Sequence, residues 1–64
     1  MQYQIEFLDD ANTIVRMMHT IAESPAIAFE LAIERGWPPC ALTAHVIDSY
    51  GQLTIFKPQA ESRS

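Results

Sequence analysis

Few side chains in this 64-residue chain are equipped for chemistry: one cysteine, Cys40, two histidines, His19 and His45, and the adjacent acids Asp9 and Asp10. A Cys beside a His would make a nucleophile and its base, and a Cys/His/Asp set would make a metal centre. The placement of these residues favours neither. Cys40 closes the stretch RGWPPC, residues 35–40, just past the end of a predicted helix, where the dipole opposes a thiolate. Arg35 is the cation nearest to it in sequence, and two prolines stand between them. No two candidate ligands have the short spacing of a zinc site, and Asp before a turn ordinarily serves as a local hydrogen-bond acceptor. His19 reads as a partly buried, hydrogen-bonded residue rather than a proton shuttle. The two glycines fall at a helix end and at a turn, which leaves no phosphate-binding loop. The sequence therefore predicts no catalytic residue, no metal and no cofactor. A thiol enzyme built on Cys40 is the weakest of the functional readings.

Composition bounds what remains. A chain of this length makes one domain and buries only about 60% of the surface its unfolded form exposes, so its core is small. With 48% apolar and 19% charged residues it has the composition of a folding chain. Eight acidic against four basic side chains give a net charge of -4, which repels phosphate and suits a basic protein partner. A single Cys excludes an internal disulfide, and together with an N-terminus lacking a basic segment followed by an apolar run it points to the cytoplasm. No stretch approaches the ~18 apolar residues of a membrane-spanning helix. Residues 1–57 are expected to form the domain, and 58–64 a flexible polar tail.

The pattern along the chain predicts an α+β fold. Tyr3, Ile5 and Phe7 alternate with Gln2, Gln4 and Glu6, the period of a half-buried strand. Residues 13–22 fit a helical and a strand period equally. A three-residue loop Asp10-Ala11-Asn12 with Asn12 left-handed decides for a hairpin that sets Phe7 opposite Val15, Ile5 opposite Met17, Tyr3 opposite His19 and Glu6 opposite Arg16. Ser24 as N-cap, Pro25 at the first turn and Gly36 past the end delimit a helix over 25–35. Its sheet-facing side holds Ala28, Phe29, Ala32 and Ile33. In the helix-stop corner, Gly36 takes the left-handed turn, Trp37 packs back onto Leu31 and Ala32, and Pro38 and Pro39 hold the chain extended while Cys40 starts a strand.

Residues 41–57 read as two strands joined at Tyr50-Gly51. A two- or four-residue connection gathers Leu42, Ala44, Val46, Leu53 and Ile55 on one face and is preferred for its apolar area. A three-residue loop with Gly51 left-handed instead joins Thr43, His45 and Ile47 to Leu53 and Ile55. The whole is a ββαββ chain, expected as one four-stranded mixed sheet with a single helix on one face and with the first and last strands parallel at its centre. This element order resembles that of the small immunoglobulin-binding bacterial domains and, loosely, the β-grasp group. The resemblance implies a topology and no function.

A helix covering one sheet face leaves the other open, and the alternation places apolar residues there. Leu8, Ile14, Met18, His45, Ile47 and Phe56 are the expected interaction surface, and Phe56→Glu is the substitution expected to weaken binding without unfolding the chain. Strands 13–22 and 41–49 are expected to be the open edges, a second place where a strand from a partner or from a second copy can pair. The function this supports is a non-enzymatic protein-interaction module, with a partner that is a larger protein or a second copy in a homodimer. The alternative is a nucleic-acid-associated protein stacking bases on Phe56 beside Arg16 and Lys57, which the net charge disfavours.

Overall fold

The computed structural model describes residues 1–34 and 36–57. The predicted flexible tail, 58–64, and Arg35 lie outside the described residues. Four strands and one helix follow in the order β1 (Gln2–Leu8), β2 (Ile14–Ile21), α1 (Pro25–Ala32), β3 (Thr43–Asp48) and β4 (Leu53–Phe56).

Both hairpins are closed by the same device. In the first, the Asp9 N–H donates to the Thr13 carbonyl and the Asn12 N–H to the Asp9 carbonyl, with Asn12 left-handed at φ 62°. The Asp9 carboxylate accepts from the N–H groups of Ala11 and Thr13, each at 2.9 Å. In the second, the Asp48 N–H donates to the Gln52 carbonyl and the Gly51 N–H to the Asp48 carbonyl, with Gly51 at φ 83°. The Asp48 carboxylate accepts from the N–H groups of Tyr50 at 2.8 Å and Gln52 at 2.9 Å. Each loop is thus a three-residue type I turn with a left-handed closing residue, wired by an Asp side chain.

The sheet is antiparallel throughout, in the order β2-β1-β3-β4, so the expected mixed sheet with parallel first and last strands is corrected. The order also departs from that of the domains whose element order it resembles. The central place beside β1 goes to β3, previously expected at an edge, because its inward residues Ala44 and Val46 are fully buried against the helix side. β4 has only four residues and takes the edge.

Both registers differ from the expected ones. The first hairpin begins as predicted, with Leu8 opposite Ile14, but a bulge leaves Val15 unpaired and shifts everything beyond it by one residue. Tyr3, Ile5 and Phe7 therefore face Thr20, Met18 and Arg16 rather than His19, Met17 and Val15, and Glu6 stands opposite Met17 and not Arg16. In the second hairpin the Asp48 loop selects the three-residue connection. It pairs Ala44 with Phe56 and His45 with Ile55, which turns Leu53 and Ile55 away from Ala44 and Val46.

The helix forms where the caps predict and stops three residues earlier, at Ala32, with Ile33 as its C-cap. The Ser24 hydroxyl accepts from the Ile27 N–H at 3.2 Å. Ala28 and Ala32, one turn apart, let the helix backbone sit close above Ile5, Phe7, Ala44 and Val46. Gly36 is left-handed at φ 97° as expected, and its N–H donates to the Ile33 carbonyl at 2.8 Å. Leu31 stays exposed, while Trp37 is partly buried against the core cluster that includes Ala32. Its ring meets Phe7 edge-on at 5.3 Å between centroids, and its indole N–H donates to the Ala41 carbonyl at 2.6 Å. Pro38 to Ala41 form a further turn, closed by the Ala41 N–H on the Pro38 carbonyl, so Cys40 lies in a turn and the strand starts at Thr43.

An aromatic chain joins the corner to the outer strand. Phe29 meets Trp37 at 5.8 Å and stacks on Phe56 at 4.4 Å with an interplanar angle of 4°. This stack is the lateral anchor of β4 under the helix. Phe29→Ala and Phe56→Ala are each expected to lower the unfolding free energy by about 2–3 kcal/mol, and urea titrations of the double variant should show a coupling of about 1 kcal/mol.

Candidate interaction surface

The registers assign every paired strand side chain to a face. On the side away from the helix, β2 contributes Ile14, Met17, His19 and Ile21, β1 contributes Gln2, Gln4, Glu6 and Leu8, β3 contributes Thr43, His45 and Ile47, and β4 contributes Leu53 and Ile55. The central strand thus lays down a polar stripe, in which the Gln4 amide donates to the Glu6 carboxylate at 2.6 Å. Apolar residues flank it on both sides. Met17 and Ile21 are 53% and 76% exposed on one flank, and Leu53 and Ile55 are 47% and 54% exposed on the other.

Four of the six residues expected on this face are there. Ile14 is exposed, Ile47 and His45 are half-buried, and Leu8 is buried between Ile14 and Thr43. Met18 and Phe56 are not: Met18 pairs with Ile5 and packs on the core, and Phe56 pairs with Ala44 beneath Phe29. The bulge at Val15 moved the first and the three-residue Gly51 loop moved the second. The same two shifts bring out Met17, Ile21, Leu53 and Ile55, which the preferred registers had turned inward. For Leu53 and Ile55 the signal was present in the sequence, as Asp48 followed three residues later by Gly51, the same spacing that separates Asp9 from Asn12. For Met17 and Ile21 the chain carries no mark of the bulge.

Chemical groupings are sparse. His19, expected to be partly buried, is instead exposed opposite Gln4 on the open face because the bulge shifts the register, and His45 lies between Glu6 and Ile55. Cys40 is exposed in its proline turn. Among the described residues no three His, Cys, Asp or Glu side chains gather to hold a metal ion. A shallow depression of about 280 Å³ lies over the end of the polar stripe, between Gln2, Gln4 and His19 on one side and Ile47, Asp48 and Ser49 on the other. It falls at the low end of the few-hundred-Å³ clefts that enclose small ligands. No helix among the described residues is long and apolar enough to cross a membrane. Comparison of the chain with family models, with curated proteins and with solved structures gives no match.

The face assignment separates two neighbouring residues of β4 cleanly. Ile55→Glu is expected to change the unfolding free energy by less than about 0.5 kcal/mol, whereas Phe56→Glu, expected from the sequence to leave the fold intact, replaces the Phe29 stack with a half-buried carboxylate and is expected to cost more than about 3 kcal/mol. Thermal melts followed by circular dichroism distinguish them.

Proposed function

We propose that this chain is a non-enzymatic protein-association module whose open sheet face docks on protein, a larger basic partner or a second copy. The observation that carries this reading is the apolar band of Ile47, Leu53 and Ile55, continuous across β3 and β4 with two of its members about half exposed. Apolar side chains grouped in this way on the uncovered side of a sheet are the mark of a contact surface. The flanking polar stripe supplies hydrogen-bonding groups for orientation: Gln4 with spare amide capacity and Glu6 with a free lone pair beside its bond to Gln4. An overall charge of -4 steers a basic surface towards the molecule. The cytoplasm is the compartment this reading assigns to a chain with one unpaired cysteine.

The nucleic-acid alternative loses its support on this face. Stacking requires an aromatic side chain with cations beside it. Phe56 and Arg16 both belong to the helix side, opposite Ala44 and Phe7. The thiol-enzyme reading built on Cys40 stays behind this one: Cys40 is exposed in its turn, and the two histidines sit on separate strands, His45 on β3 and His19 on β2.

The test is a double substitution, Leu53→Glu with Ile55→Glu, which leaves the helix-side core intact. The variant is expected to keep its circular dichroism spectrum and to lose at least about tenfold in affinity for whatever protein the wild type retains at matched concentration, one apolar anchor being worth more than ~1 kcal/mol. Unchanged retention by the folded variant would move the association away from this face.

A further inference from the structure

Ala22, which directly follows β2, donates its N–H to the Met1 carbonyl at 3.0 Å. In an antiparallel ladder hydrogen-bonding direction alternates along the strand, so Thr20 and Met18 also turn their N–H and C=O groups towards β1. Met17, His19 and Ile21 turn theirs the other way. β2 is the outer strand of the sheet, and no hydrogen bond found among the described residues reaches those three backbones from outside it. β2 is also the longest strand, with eight residues, and it carries neither Lys nor Pro to guard its edge.

A second uncovered element lies on the same side. Taking 100° per residue, the buried centre of α1 runs through Ala28 and Ala32, and Phe29 flanks it on the side of β4, against Phe56. Ile27 and Leu31 occupy the opposite flank, which looks towards β2, and they are 42% and 40% exposed. An isolated strand added to the edge would satisfy the backbone of β2 and leave this apolar flank bare.

We propose that the occupant is a second copy of this chain, paired antiparallel along β2 about a two-fold axis at His19. The inference goes beyond the open-face reading above: it uses a different surface, the β2 edge with the α1 flank, and names its own partner. The register follows from the bulge, which ends regular pairing at Arg16, so only a pairing centred on His19 uses all three outward residues, Met17, His19 and Ile21. Met17 then stands opposite Ile21 of the second copy twice over, joining the most exposed apolar residues of the strand. On the helix side Met18 meets Thr20, and Arg16 meets Ala22. The axis is perpendicular to the sheet, so both helices lie on one face and bring their Ile27 and Leu31 flanks together across the seam. One symmetry operation covers the edge and the helix flank at once, as an isologous interface requires.

An eight-stranded sheet formed in this way has a modest interface, and the dissociation constant is expected at about 10–100 µM. Sedimentation velocity between about 10 µM and 1 mM should show the mass doubling. His19→Pro removes an outward N–H and is tolerated on an edge strand, so it should leave a folded monomer, raising the dissociation constant by roughly 30-fold or more as two symmetry-related hydrogen bonds vanish. Leu31→Glu should weaken the dimer from the helix side. In the wild type, amide exchange at Met17, His19 and Ile21 should slow with increasing concentration, a readout that holds even where a variant fails to fold. A wild type that stays monomeric at the highest concentration, or exchange at those amides independent of concentration, would overturn the edge dimer and leave the open-face reading standing. A dimer that persists in folded His19→Pro and dissolves in Leu53→Glu/Ile55→Glu would overturn it in favour of the sheet face.

Discussion

Two aspartate-wired loops govern the rest of this structure. Asp9 and Asp48 each hold two backbone N–H groups with one carboxylate oxygen, and each loop ends in a residue with positive φ, Asn12 or Gly51. A three-residue loop fixes which residues face each other at the start of the ladder, and in a sheet a slip of one residue exchanges the two faces. The loop that ends at Gly51 thereby decides that Phe56 goes under the helix and Ile55 to the open side. Nothing in the hydrophobicity of the two residues makes that choice.

The helix side depends on that decision. α1 spans only about 12 Å, at 1.5 Å per residue over its eight residues, and it is thin-walled where Ala28 and Ala32 touch the sheet. Small residues bring the helix close but bury little area, so the lateral contacts carry much of the packing. These are aromatic: Phe7, Trp37, Phe29 and Phe56 form one run of edge-on and stacked rings from the central strand to the outer one. The helix-stop corner RGWPPC belongs to this run. It supplies Trp37 and delivers the chain to Leu42, whose N–H reaches the Leu8 carbonyl at 2.8 Å and so docks β3 beside β1.

Local chemistry was legible in the sequence wherever a single residue type has one structural use. Ser24, Pro25 and Gly36 bounded the helix, Asn12 took its left-handed place, and the alternation of Tyr3, Ile5 and Phe7 pointed to the buried face. Registers and strand order were less legible, because they are set by competition between whole faces. Burying Leu53 and Ile55 with Val46 collects more apolar area than burying Thr54 and Phe56, yet the turn and the Phe29 stack favour the second. The bulge at Val15 left no trace, since Val15-Arg16-Met17-Met18 reads as a strand in either phase. The candidate surface shifted accordingly: Leu8, Ile14, His45 and Ile47 stayed on the open side, while Met18 and Phe56 were exchanged for Met17, Ile21, Leu53 and Ile55.

The exposed apolar surface is a consequence of scale. Four strands at about 4.8 Å spacing make a sheet wider than one helix of about 10 Å diameter can cover, and the chain has no second helix among its described residues. α1 packs over β1, β2 and β3, so the shortfall falls on its own outer flank, at Ile27 and Leu31, and on the whole reverse face of the sheet. A chain that spends its large aromatic residues on anchoring one short helix leaves Ile27, Leu31, Met17 and Ile21 without cover. Burying them is worth on the order of 1–2 kcal/mol each, which folding of the single chain leaves unused and which association can recover.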